Sequence, residues 1–171
     1  MLFDDTYKTI KYTSEGIFRD KGSKFIGNAY PLKSENEVKG ILALLRAEHP
    51  KARHFCWAFR LSPDRAMFRI NDDGEPSGTA GRPILNSLLS ADLTNVLIVV
   101  VRYFGGTLLG VPGLINAYKN ASVAAISANQ VIVKTVNDVY ELRFDYLLMN
   151  EVMRVIKDEH LTVLKQDFDS S

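Results

Sequence analysis

Three carboxylates, Asp72, Asp73 and Glu75, crowd into a run of small polar residues (Gly74, Ser77, Gly78, Thr79, Gly81) that closes on Arg82 and Pro83. Carboxylates so placed can hold a divalent cation or work as an acid and base. The alternating acidic positions of a calcium loop are missing, however, and adjacent side chains diverge, so no metal is expected. Ser77, between Pro76 and Gly78, lacks the glycine spacing of a nucleophile elbow, and a catalytic set would need His54 to meet it in space. His54 and Cys56 are two apart in a predicted strand and point the same way, the arrangement of a thiol site. A lone buried cysteine is more often inert packing, and a lone histidine more often a structural hydrogen-bonding residue.

A second loop, residues 104–113, carries Gly105, Gly106, Gly110 and Gly113. Glycines let backbone N–H groups approach a ligand, and a helix beginning near Leu114 would point its positive end there, which suits an anion. Arg82 and Arg102 would add two-pronged contacts to phosphate or carboxylate. Two readings stand side by side. In one, Arg82 and Arg102 are anion forks and Gly105, Gly106 and Gly113 are backbone donors. In the other, the glycines make tight turns and each arginine pairs with Asp72, Asp73 or Glu75. Neither loop has a phosphate-loop or dinucleotide fingerprint, since Leu114 and Ile115 follow Gly113, which disfavours ATP and NAD; no cofactor is expected. Tyr103 and Phe104 either stack on exposed bases or cap the core. The turn from Arg19 to Lys24, with Lys21 and Lys24, could touch phosphate as auxiliary contacts or be merely solvated.

The elements that must position these residues follow from periodicity. Alternation predicts strands at Tyr7–Tyr12 and Lys24–Leu32, forming an opening antiparallel pair around the turn at Asp20–Ser23. Ser34 and Glu37 have capping-box form before the helical stripe Val38, Ile41, Leu42, Leu45. Phe55–Leu61 and Met67–Ile70 read as a hairpin, and a short helix is expected from Pro83. Val96–Val101 is branched at nearly every position, the mark of a central strand covered on both faces. Leu114–Ala128 reads as a helix whose alanines allow close packing on the sheet. A strand (about 135–144), a helix (about 147–159) and a strand (about 162–168) end the chain as a second unit, with a boundary near Val133.

Composition narrows the classes further. The chain has 171 residues, 46% of them hydrophobic, and a net charge of +1, which excludes a disordered chain. The longest strongly apolar run, Val96–Val101, is far short of a membrane span, and no signal segment opens the chain, so no membrane contact and a cytoplasmic location are expected. One cysteine and three scattered histidines exclude disulfide scaffolds and zinc modules. Residues 1–133 carry a net +4 and residues 134–171 a net −3; a charge so small does not by itself argue for nucleic acid.

Four ordered motifs carry a family resemblance: Lys21 to Gly27, His54 to Ala58, Asp72 to Pro83, and Arg102 through Gly106 and Gly110 to Gly113. Over about the first 130 residues the chain resembles the YigZ/IMPACT family. The resemblance implies an α+β fold: an N-terminal two-layer domain like the second domain of small-subunit ribosomal protein five, with helices on one face of a sheet, over residues 1–133. Residues 134–171 resemble the last, ferredoxin-like domain of elongation factor G, of which the chain offers one βαβ where the full domain has βαββαβ. That shortfall predicts dimerisation through the tail, or a shortened chain. Val111 and Pro112 stand where relatives commonly carry smaller or polar residues. Kinship implies a translation-associated regulatory binding protein that contacts ribosome, RNA or a translation-related protein, with no residue needed as a catalyst. The alternative is an enzyme acting on a small phosphorylated or anionic substrate, with Asp72, Asp73 or Glu75 as acid, base or metal ligand.

Overall fold

In the computed structural model, which describes residues 5–169, the apolar run at Val96 becomes the middle strand of a five-stranded sheet. Along the chain the elements are β1 (Thr6–Ile10), β2 (Ser14–Asp20), β3 (Ser23–Pro31), α1 (Val38–Glu48), β4 (His54–Leu61), β5 (Met67–Asn71), α2 (Gly81–Ser90), β6 (Val96–Tyr103), α3 (Gly110–Ser127), β7 (Val131–Thr135) and α4 (Met149–Asp158). The sheet order is β2-β3-β6-β4-β5, with every neighbouring pair antiparallel. β1 pairs with β7 in a separate two-stranded sheet.

Side chains alternate across a strand, so β6 feeds two cores. Val96, Ile98 and Val100 pack with Phe25, Cys56 and Ala58 under α2 and α3. Leu97, Val99 and Val101 pack with Phe55, Trp57 and Phe59 and with Val38 and Leu45 of α1. The expected two-layer form with helices on one face is therefore corrected: a strand apolar on both faces needs cover on both, and α1 supplies the second layer. α3 lies close enough to the sheet that a Cβ on Gly27 would sit 2.3 Å from the Ala121 carbonyl oxygen; glycine on the strand and alanine on the helix make that approach feasible.

The opening pair is corrected as well. The segment from Lys24 to Leu32 pairs with β2, whereas the Tyr7 segment joins β7, far along the chain. Ser34 Oγ accepts from Asn36 N–H and Glu37 Oε2 from Lys33 N–H, so the capping box becomes two local bonds around a 3₁₀ turn at Glu35–Glu37. The chain divides between Val136 and Asn137, just beyond the expected boundary, because β7 belongs with β1. In the second unit the helix forms as α4, after a 3₁₀ turn at Tyr146–Leu148. Its expected flanking strands, about 135–144 and 162–168, do not form beyond Thr135, so the βαβ unit is reduced to its helix. Strands need a partner for their N–H and C=O groups, and none is present there among the described residues.

Candidate functional site

The loop between β5 and α2 is organised by Asp72. Its Oδ1 accepts from the N–H groups of Ala80 (3.2 Å) and Gly81 (2.8 Å), and its Oδ2 from Gly78 N–H (3.0 Å). The chain's own carboxylate thus sits where the first turn of α2 would attract an anion. Asp73 is used similarly: its Oδ2 accepts from Phe55 N–H at 2.7 Å, and its carbonyl lies 2.8 Å from His54 Nδ1. Thr79 is buried and donates to the Pro76 carbonyl at 2.6 Å, while Ser77 and Gly74 are exposed.

Glu75 joins this loop to the end of β6. Both its carboxylate oxygens lie 2.8 Å from Arg102 Nη1, and Oε1 lies 3.0 Å from His54 Nε2. Glu75 is 8% exposed and Arg102 5%. Even-numbered β6 residues face the α2 and α3 side, and Arg102 continues that series into the space between Phe25 and Phe104, its guanidinium 5.3 and 5.6 Å from the two ring centres. Both His54 nitrogens face acceptor oxygens, Nδ1 the Asp73 carbonyl and Nε2 the Glu75 carboxylate.

Ser23 extends the network to the second glycine loop. Its Oγ accepts from Gly105 N–H at 3.1 Å and lies 3.5 Å from Arg102 Nη2. Gly105 rests directly on the β2–β3 turn: a Cβ there would stand 2.0 Å from the Gly22 carbonyl carbon. One buried ion pair and one backbone contact therefore tie both glycine loops to the Lys21–Ser23 turn.

Cys56 Sγ contacts the Asp72 carbonyl (3.1 Å) and the Tyr118 hydroxyl (3.3 Å), both on the side to which His54 also points. Burial pushes the Cys56 thiol well above its ordinary value, and the nearby carboxylates of Glu75, Asp73 and Asp72 push the same way. The bond with Tyr118 opposes them only in part, so no thiolate forms at neutral pH. Tyr118 is raised too, by burial first and by Cys56 next.

Of the two readings for the arginines, Arg102 follows the pairing one, and its expected part as an outward anion fork is corrected. A guanidinium enclosed by two rings and already bonded to Glu75 has no open face for a ligand. Arg82 is exposed and forms no ion pair among the described residues. α3 begins at Gly110, not near Leu114, which places Gly113 inside its first turn and makes Gly110, at φ +73°, the turning residue. Gly106 is exposed at the loop tip. Ser77 and His54 are not bonded to each other, and Asp72, Asp73 and Glu75 each bond to groups within the protein.

The sheet register brings together residues that the sequence had left apart. Arg19 on β2 pairs with Lys24 on β3, and Lys24 pairs with Tyr103 on β6, so the three form one row across the strand ends. Lys21 is exposed in the adjoining turn, and Phe104, 40% exposed, follows Tyr103. Arg19, Lys21 and Lys24 make no ion pair among the described residues. The Tyr103 hydroxyl is held 2.5 Å from His49 Nδ1, which fixes the ring at the C-terminal end of α1. Sequence reasoning missed Ser23 and Tyr118 as partners. Ser23 reads as a solvated turn residue and Tyr118 as helix core, and only strand register and parity could have assigned them.

Among the described residues no three potential ligands gather as a metal site, and no helix is long and apolar enough to cross a membrane. The Impact N-terminal domain family matches residues 21–126. An IMPACT family member of Haemophilus influenzae is 34% identical over 153 residues, covering 88% of this chain and 74% of that protein. The IMPACT family member YigZ of Escherichia coli K12 is 32% identical over 152 residues, with the same coverage of each chain, 88% and 74%. A solved structure titled as the crystal structure of an hypothetical protein is 29% identical, with a TM-score of 0.78 over 98% of this chain and 82% of that one.

Proposed function

The chain belongs to the IMPACT family, and on that premise we propose that it is a cytoplasmic, translation-associated regulatory binding protein that contacts ribosome or RNA. The observation that carries this reading is the row Arg19, Lys24, Tyr103 with Lys21 in the adjoining turn and Phe104 exposed just beyond the strand: cations without an ion pair among the described residues, gathered at one strand end with a half-buried tyrosine and an exposed phenylalanine. Cations that track phosphates next to rings that can stack on bases are the working parts of single-strand recognition. The buried Glu75–Arg102 pair supports this surface from beneath by holding Phe104 and Gly105 in place. Translation as the setting comes from the family resemblance. A translation-related protein as the partner would use the same surface without a phosphate.

Co-sedimentation with ribosomes and with ribosomal RNA at low and moderate salt tests the proposal, comparing wild type with the Lys21→Ala, Lys24→Ala, Phe104→Ala triple variant. Salt-sensitive binding that the variant loses supports it. Absence of binding to either target at low salt overturns it. The homodimer expected through residues 134–171 is a separate proposal, supported by the exposed Val139, Tyr140, Leu142 and Leu164, and light scattering that finds a monomer removes it.

A further inference from the structure

The two edges of the five-stranded sheet differ. β2 carries Glu15 and Arg19 as exposed charges, which discourage pairing with another chain. β5 is exposed along its whole length and carries Met67, Phe68 and Ile70, at 50%, 51% and 38% exposure, around one charge, Arg69, which is engaged with Glu35 on the other face. No described strand pairs with its outer side. Natural proteins blunt such an edge unless it is used.

α2 turns this edge into a groove. Ile70 pairs with Ala58 and Phe68 with Arg60, so both apolar side chains project on the α2 side of the sheet. α2 crosses closely here, since a Cβ on Gly81 would lie 3.0 Å from Ile70 Cβ. Pro83 and Ser87 of α2 face α3. Arg82 and Leu89, seven residues apart and therefore on one stripe, are both exposed on the other flank, towards β5. The groove has a strand edge as its floor, Phe68, Ile70 and Leu89 as its apolar contacts, and Arg82 as a charge that forms no ion pair among the described residues.

We propose that β5 and α2 form a docking groove for an extended, acidic segment of a partner protein, which adds to β5 as a sixth strand and sets a carboxylate against Arg82. Strand addition supplies main-chain hydrogen bonds, and alternate side chains of the segment rest on Phe68, Ile70 and Leu89. The charge at the site selects the occupant. A second copy pairing β5 with β5 about the strand centre would set Arg69 directly against Arg69, which like-charge pairing across strands disfavours. An acidic segment meets Arg82 and leaves Arg69 in its bridge to Glu35. This groove is separate from the strand-end surface of the proposed function and stands whether or not RNA binds there.

Fluorescence anisotropy of the full chain with a labelled ESVSVSE heptapeptide, whose valines and glutamates share one strand face, tests the proposal. The controls are the basic KSVSVSK and the acidic peptide N-methylated at alternate residues. Saturable binding is expected, at least about tenfold tighter than that of either control, with Phe68→Glu and Arg82→Glu each weakening it about tenfold. Both residues are exposed, so circular dichroism should find both variants folded. No saturation up to about 1 mM peptide, or equal binding of the N-methylated peptide, overturns the proposal. A concentration-dependent dimer of the wild type that Phe68→Glu abolishes also overturns it, in favour of self-pairing.

Discussion

Arg102 Nη1 lies 2.8 Å from both carboxylate oxygens of Glu75, and this one contact joins the two glycine-rich loops inside the protein. Removing one partner of a buried ion pair strands the other charge, at a cost of about 3–5 kcal/mol. Glu75→Ala is therefore expected to lower stability by about that much in urea unfolding. Exchanging both partners, as Glu75→Gln with Arg102→Met, should cost clearly less than Glu75→Ala. A loss below about 1 kcal/mol for Glu75→Ala would mean that the pair is not the joint between the loops.

Asp72 accepts three backbone N–H groups at the start of α2. Loss of such a cap costs about 0.5–2 kcal/mol, and the extra bond to Gly78 places Asp72→Ala at the upper end of that range. Asp72→Asn keeps an acceptor oxygen and should retain part of the stability. Equal unfolding midpoints for Asp72→Ala and wild type would contradict this account.

A methyl group at Gly105 has nowhere to go, because the Gly22 backbone occupies its place. Gly105→Ala should separate the loop from the β2–β3 turn and destabilise the protein by about 1–3 kcal/mol. Phe104 should move with the loop, so co-sedimentation with ribosomes should weaken as well. Calorimetry that finds an unchanged melting temperature would refute the close approach.

Burial raises Cys56, Tyr118 and Tyr30, the last pushed up to about 12 from an ordinary 10.0 by its burial and then by Glu48 and Glu15. A group raised by folding loses its proton first in the unfolded chain. The stability it contributes is full below its ordinary value and is lost as the pH climbs towards its folded value. Urea midpoints should therefore show no loss from these groups up to about pH 8, then a fall of about 1.4 kcal/mol per pH unit for each group ionised only when unfolded. Cys56→Ala and Tyr118→Phe should each flatten that fall, and a profile of the wild type that stays level to about pH 10.5 would contradict it.

The order of β4, β5, α2 and β6 could be read from the sequence because each carries its period locally: Phe55–Leu61 alternates, and Val96–Val101 is apolar throughout. β2 could not, since Ser14–Asp20 reads as polar until β3 pairs with it. The β1–β7 pairing joins segments more than a hundred residues apart, and nothing in Thr6–Ile10 names its partner. The fate of Arg102 was legible in part. It continues the even-numbered face of β6, and Glu75 was a candidate partner, but arginine composition alone points outward. The strand expected at about 135–144 does not form beyond Thr135, because pairing needs a neighbour that the period does not supply.

Salt decides what the strand-end row meets. If Arg19, Lys21 and Lys24 each neutralise one phosphate, the logarithm of affinity should fall with the logarithm of salt at a slope of about −2 for single-stranded RNA. Each alanine substitution should then flatten the slope by about 0.7, whereas Phe104→Ala should lower affinity at every salt concentration and leave the slope unchanged, because stacking releases no counterions. The two effects separate the cations from the ring on one plot. A slope near zero for a partner that still binds would assign the surface to a protein contact, and Phe104 would then act as an apolar anchor.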